Sequence, residues 1–225
     1  MYGSGEILMA DNISIEILCF NPEINQDPVW STYVIPYEEK NTVLGALFYI
    51  RENIDPTLSF RYGCRYKNCG LCAMQMNGKP GMACRTYVKD KMRIAPLSGL
   101  PVIKDLVIER GSFLPLFSKH EIYIENSSSV DEPARESETW AKLRRCTDCL
   151  GCLSTCPKYK HGDDSFAGPY IFVKIAQLSH DPRDQKDRKA QAKMMGIDQC
   201  IVCDQKCYCL NGLSISDAIN SLLVI

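Results

Sequence analysis

The chain has 225 residues, enough for one large domain or two small ones, with 45% apolar and 24% charged residues. Its net charge of −1 gives no electrostatic reason to expect nucleic acid or an anionic lipid surface as a partner. No apolar run approaches the ~18 residues that span a bilayer, and Met1 to Ala10 lacks the basic start and apolar centre of a secretory signal, so the chain is expected inside the cell.

From Ile13 to Phe20 apolar and polar residues alternate, which predicts a strand. Trp30 to Pro36 is aromatic and β-branched and predicts a second, with Asn21-Pro22 and Asp27-Pro28 as turn between them. Val43, Leu44, Leu47, Phe48 and Arg51 fall on helical spacing behind a cap at Asn41 or Thr42. Ala73 to Met76, Asn77-Gly78 and Met82 to Thr86 read as a hairpin. After about Leu100 the character changes. Leu106-Val107-Ile108 is expected to begin an apolar helical stretch, and Asn126 to Glu138 is expected to be loop. Ser137 can cap a helix through Trp140 and Leu143, and Pro169 suits the first turn of another carrying Ile171, Phe172, Ile175, Ala176 and Leu178. Asp181 to Met195 reads as a solvated, charged helix face, and a last helix covers Ser216 to Leu223. The prediction is an α+β chain: residues 1–106 β-rich, residues 107–225 all-helical.

The 13 cysteines carry the chemistry. A reducing cytosol does not sustain a dense disulfide framework, and most of these residues fall into tight groups, as metal ligation requires. Soft thiolates select iron–sulfur clusters, zinc or cuprous ions. Cys64-x4-Cys69-x2-Cys72, with Cys84 further on, has the plant-type two-iron spacing. Three thiolates come from one loop wrapped over the cluster. The fourth comes from a separate segment, expected to be the far arm of the hairpin. Gly63 and Gly70 would let the backbone come close. Structural zinc sites usually show paired Cys-x2-Cys knuckles, which this loop does not.

Cys146-x2-Cys149-x2-Cys152-x3-Cys156-Pro157 is the bacterial ferredoxin run, whose fourth cysteine serves a second cluster. A partner motif exists in Cys200-x2-Cys203-x3-Cys207, and its last cysteine is expected to cross back. Cys146, Cys149, Cys152 and Cys207 are then the ligands of a four-iron cluster, which leaves Cys156, Cys200 and Cys203 for the other. Three thiolates suit a three-iron cluster, the preferred reading. A second four-iron cluster needs a further ligand, and Asp198, Cys209 or solvent could serve. Cys209 is otherwise unassigned, and Cys19 reads as a small buried apolar side chain.

With these motifs in place, the chain resembles the iron–sulfur subunit of the succinate dehydrogenase and fumarate reductase (complex II) family over nearly its whole length. The resemblance is carried by Leu58-Ser59-Phe60-Arg61, Cys69-Gly70-Leu71-Cys72-Ala73-Met74, Ala83-Cys84-Arg85-Thr86, the run from Pro96 to Val107, Gly168-Pro169 and Asp181-Pro182-Arg183-Asp184. It implies a plant-type ferredoxin-like (β-grasp) domain followed by a bacterial-ferredoxin-like helical domain. It implies a [2Fe-2S], a [4Fe-4S] and a [3Fe-4S] cluster in a row. The implied partners are a flavoprotein subunit with covalent FAD at the two-iron end, and a quinone or membrane-anchor subunit at the other. The chain would then sit peripherally on the inner face of the cytoplasmic membrane, and dicarboxylate chemistry would belong to the flavoprotein, with no catalytic acid or base here. An alternative is a related flavoprotein complex with another substrate or a thiol/heterodisulfide-type electron partner.

Departures from the family pattern gather at the third cluster. Two residues separate Cys200 from Cys203, where the family has a longer gap; Tyr208 stands where a proline is expected, and Ile201 where a histidine is. Lys158-Tyr159-Lys160-His161 replaces the tryptophans that follow the Cys-Pro in the family. Lys158, Lys160 and His161 read as a solvated turn, or as the lining of an acceptor site. Arg61, Arg65 and Arg85 either face the flavoprotein or coat the cluster loop. Trp140 and Tyr159 read as core, and His120 and His180 carry no ligand context.

Overall fold

The computed structural model describes residues 12–24, 27–125 and 135–223. Strands β1 (Asn12–Cys19) and β2 (Val29–Pro36) pair antiparallel in full register from Asn12↔Pro36 to Cys19↔Val29. Alternation puts Ile13, Ile15 and Ile17 into the core, as period-two patterning requires. Helix α1 (Val43–Asn53) is capped by Thr42, whose Oγ1 accepts from the Gly45 amide at 3.1 Å, and it buries Val43, Leu44, Ala46, Leu47 and Ile50.

The hairpin is β3 (Ala73–Met76) with β4 (Lys79–Met82), turning at Asn77 and Gly78, both at positive φ. Its second arm lies earlier than Met82 to Thr86. Residues 83–86 instead form a turn in which the Arg85 and Thr86 amides donate to the Met82 carbonyl. Cys84 therefore sits in that turn and not on the hairpin. The Ala83 carbonyl accepts from the Leu44 amide, which pins the turn to the start of α1. Strand β5 (Met92–Ala95) runs parallel to β1 and antiparallel to β3, giving the order β2-β1-β5-β3-β4.

Leu106-Val107-Ile108 is not helical. Strands β6 (Val102–Lys104) and β7 (Val107–Ile108) form a two-stranded ribbon, and the boundary expected at residue 106 falls in its turn. Asp105 holds that turn at positive φ. Its carboxylate accepts from the Phe20 amide at 3.0 Å and the Ser59 amide at 2.9 Å, a tertiary satisfaction that local propensity does not reveal.

Helices follow: α2 (Phe113–Lys119), α3 (Glu138–Leu143), α4 (Gly151–Ser154), α5 (Gly168–Ser179), α6 (Arg188–Met194), a 3₁₀ turn (Ile197–Cys200) and α7 (Ile215–Leu223). Most of the expected loop 126–138 lies outside the described residues. Ser137 Oγ accepts from the Trp140 amide at 3.2 Å and caps α3, and Pro169 sits in the first turn of α5. The charged segment 181–195 is less solvated than its composition suggests. Arg188 is 2% exposed, and its guanidinium donates to both Asp184 carboxylate oxygens, to Gln191 Oε1 and to the Glu121 and Tyr123 carbonyls. One hydrophobic core runs through sheet and helices, from Ile13 to Leu222. Gln75 on β3 donates to Ser98 Oγ, which bonds Ser154 on α4 and ties the two halves together.

Candidate metal centres

The loop from Cys64 to Cys72 holds no regular structure. Arg65, Lys67 and Gly70 take left-handed backbone conformations that turn successive amides inward. The Tyr66, Asn68 and Cys69 amides all donate to Cys64 Sγ at 3.3 Å, and the Cys64 amide donates to Cys69 Sγ at 3.4 Å. The Tyr66 amide, with the other donors, pulls the Cys64 thiol down to about 7. Cys72 and Cys84 are buried side by side, and burial pushes Cys72 up to about 12. The four cysteines thus stand as two neighbouring pairs, Cys64 with Cys69 and Cys72 with Cys84. Two pairs are what two bridged irons require, each iron taking two thiolates. A tetrahedral zinc site instead asks for four ligand atoms about 2.3 Å from one point. Among the described residues no three His, Cys, Asp or Glu side chains converge closely enough for a single ion. The donor set fits a two-iron cluster.

The aromatic platform beside this loop was not evident in the sequence. Arg65 stacks over Phe48 at 4.9 Å, and Arg51 lies 4.7 Å from the centre of the Phe60 ring. Arg65 therefore anchors the loop to α1 through cation–π contact. Arg61 and Arg85 remain exposed beside the ligands.

The second group lies in an apolar cavity lined by Cys146, Cys149, Cys152 and Cys209 with Leu150, Tyr170, Val173, Leu213 and Ile215. Asp148 and Leu150 take left-handed conformations, which let the run double back on itself. Burial pushes Cys146 up to about 11 and Cys152 well above the thiol range. Lys174 pairs with Asp148 at 2.5 Å, and Arg110 donates to the Asp148 carbonyl, so two cations stand beside this cysteine-lined cavity.

Cys207 was expected here, but it lies elsewhere. The fourth thiol in this cavity is Cys209, and its segment is fastened in place. The Asn211 amide donates to Cys209 Sγ at 3.3 Å, and Asn211 Nδ2 donates to the Arg145 carbonyl at 2.6 Å, one residue from Cys146. Leu210 packs so tightly on Gly151 that a Cβ there would meet it at 2.9 Å.

The third group is Cys156, Cys200, Cys203 and Cys207, which share one cavity with Pro157, Lys158, Phe166 and Lys206. Burial, reinforced by neighbouring Cys207, Cys156 and Cys203, pushes Cys200 up to about 12. Asp198 is exposed and does not line this cavity. Lys158 lines it, whereas Lys160 and His161 face a neighbouring cavity with His120 and Ser112. Trp140 is buried and Tyr159 half-buried, and Cys19 stands 3.6 Å from the Tyr33 hydroxyl and lines neither of these cavities.

The three groups are contiguous. Gly70, between two ligands of the first group, lies against the second: a Cβ on it would stand 2.3 Å from the Thr147 carbonyl oxygen and 2.8 Å from Cys149 Cα. Cys152 borders both the second and the third cavity.

A family model described as a 2Fe-2S iron–sulfur cluster binding domain matches residues 14–115, which include Cys64, Cys69, Cys72 and Cys84. The chain is 31% identical over 217 residues to the fumarate reductase iron–sulfur subunit of Haemophilus influenzae, covering 88% of this chain and 84% of that one. It is 34% identical over 215 residues to a subunit of the fumarate reductase (CoM/CoB) of Methanothermobacter marburgensis, covering 93% of this chain but 43% of that relative's length. Its fold matches a chain of the Mycobacterium smegmatis Sdh1 complex in the apo form, with a TM-score of 0.78 and 21% identity over 95% of this chain and 96% of that one. The cysteine sites and these likenesses agree: the chain belongs to the family of fumarate reductase iron–sulfur subunits, and it shares its fold with the Sdh1 chain.

Proposed function

We propose that this chain carries electrons, one at a time, between an FAD-containing flavoprotein subunit and a quinone or membrane-anchor partner in a succinate dehydrogenase or fumarate reductase complex. Iron–sulfur clusters, when bound, supply reversible one-electron exchange. The chain's own residues hold them, space them and keep water away. Cys64, Cys69, Cys72 and Cys84 would hold a [2Fe-2S] cluster, Cys146, Cys149, Cys152 and Cys209 a [4Fe-4S] cluster, and Cys156, Cys200 and Cys203 belong to the third. A sheet domain and a helical domain would divide at the β6–β7 ribbon. The carrying observation is contiguity: the Gly70 loop is seated on the Cys149 loop, and Cys152 stands between the second and third cavities.

Among the described residues no helix is long and apolar enough to cross a membrane, so attachment to one at its inner face would come through partner subunits. A second reading, a related flavoprotein complex with a thiol/heterodisulfide-type electron partner, is favoured by the 34% identity to a relative named for CoM/CoB and by the altered residues around the third site. Turnover of the purified complex separates the two. Cys72→Ala should abolish quinone-linked succinate oxidation while the flavoprotein still reduces artificial acceptors. Full quinone-linked activity in that variant would overturn the proposal, and activity with a disulfide acceptor but no quinone would favour the second reading.

A further inference from the structure

Resting on the iron–sulfur reading above, we infer that the third site is a four-thiolate site, Cys156, Cys200, Cys203 and Cys207, and that it holds a four-iron and not a three-iron cluster. A three-iron cluster is a cube with one corner vacant, and it is the natural product of a site offering three thiolates. The present cavity offers four besides Cys152, which also lines the second cavity. A fourth thiolate supplies the ligand that the corner iron lacks, so that each iron of a complete cube has its own cysteine.

The assignment depends on which cavity Cys207 faces, and separate features agree. Cys207 lines the same cavity as Cys156, Cys200 and Cys203. It is not needed at the second site, because Cys209 already occupies that corner. Cys209 lines the second cavity together with Cys146, Cys149 and Cys152. Its segment is held there by the Asn211 bond to Arg145 and by Leu210 against Gly151. The segment between the two cysteines, at Tyr208, is exposed and leads from one cavity to the other. Two cysteines set one residue apart therefore diverge to complete different sites, and with Cys152 counted at the second, each site has four thiols. Cys203, close behind Cys200, gives the shortened spacing its purpose: it adds a thiolate to the two that Cys156 and Cys200 already bring, and Cys207 completes the set.

The test is low-temperature EPR on the full chain isolated and kept without oxygen, with Mössbauer spectroscopy to count irons by type. The inference predicts no three-iron signal in the oxidised wild type and two four-iron clusters in the Mössbauer spectrum. Cys207→Ser should then produce the oxidised three-iron signal while leaving the second cluster intact, and Cys209→Ser should disturb the second cluster instead. A full complement of three-iron cluster in the wild type, unchanged in Cys207→Ser, would overturn the inference. So would loss of the second cluster in Cys207→Ser with the third untouched. Absence of iron and acid-labile sulfide altogether would overturn the underlying iron–sulfur reading as well, which the other outcomes leave standing.

Discussion

Gly70→Ala tests the seating of the first loop on the second. Gly70 lies at φ +66°, and an added Cβ would stand 2.3 Å from the Thr147 carbonyl oxygen and 2.8 Å from Cys149 Cα. Left-handed backbone costs an L-residue about 1–2 kcal/mol. Both opposing atoms are backbone, so no side chain can swing aside, and the loops must separate at an overpacking cost of about 1–3 kcal/mol. Gly78→Ala is the reference, since Gly78 lies at φ +76° with nothing within 4 Å of its Cβ position. It carries the backbone cost alone. The thermal midpoint of the cluster-loaded protein should fall further for Gly70→Ala than for Gly78→Ala, by roughly 2–4 °C for each kcal/mol of difference. Spectra of the first two clusters should also change in Gly70→Ala and not in Gly78→Ala. Equal midpoints and unchanged spectra would refute direct contact between the loops.

Arg188→Ala leaves Asp184, 1% exposed, without its cation. A loss of about 3–5 kcal/mol is expected in thermal unfolding, and a change no larger than an exposed-surface substitution would contradict the buried pair. In the iron-free chain Cys64 should be the first thiol alkylated near pH 7. Its thiol is pulled down to about 7, whereas Cys72 and Cys200 are pushed up to about 12 and Cys146 to about 11. Mass spectrometry of partly alkylated protein would show the order, and modification of Cys72 before Cys64 would contradict it.

Much of this fold could be read from residue order. The alternation of Ile13, Ile15 and Ile17, the Thr42 and Ser137 caps and Pro169 at the start of α5 are local signals, and the elements form where those signals stand. The misread stretch, Leu106-Val107-Ile108, is apolar and short, and such runs do not distinguish helix from strand. Its geometry is decided by Asp105 bonding Phe20 and Ser59, residues far away in sequence. The burial of Arg188 is hidden in the same way, because its partners come from 121–123 as well as from its own helix. At the candidate metal centres, spacing groups most of the cysteines as the cavities do, with Cys146, Cys149 and Cys152 in one and Cys156, Cys200 and Cys203 in another. It did not decide between Cys207 and Cys209. In the fold Cys209 lines the second cavity and Cys207 the third, and Asn211 and Leu210 dock the Cys209 segment on the Arg145 to Gly151 segment. The leucine and asparagine directly after Cys209 were the available signal.

The central claim is that these cysteines hold iron–sulfur clusters for electron transfer. Iron, zinc and acid-labile sulfide measured together on the anaerobically isolated full chain test it most directly. The account predicts iron and sulfide in near-equal amounts, with little zinc and a reduced-state EPR signal that disappears in Cys72→Ala. Stoichiometric zinc with neither iron nor sulfide would contradict it.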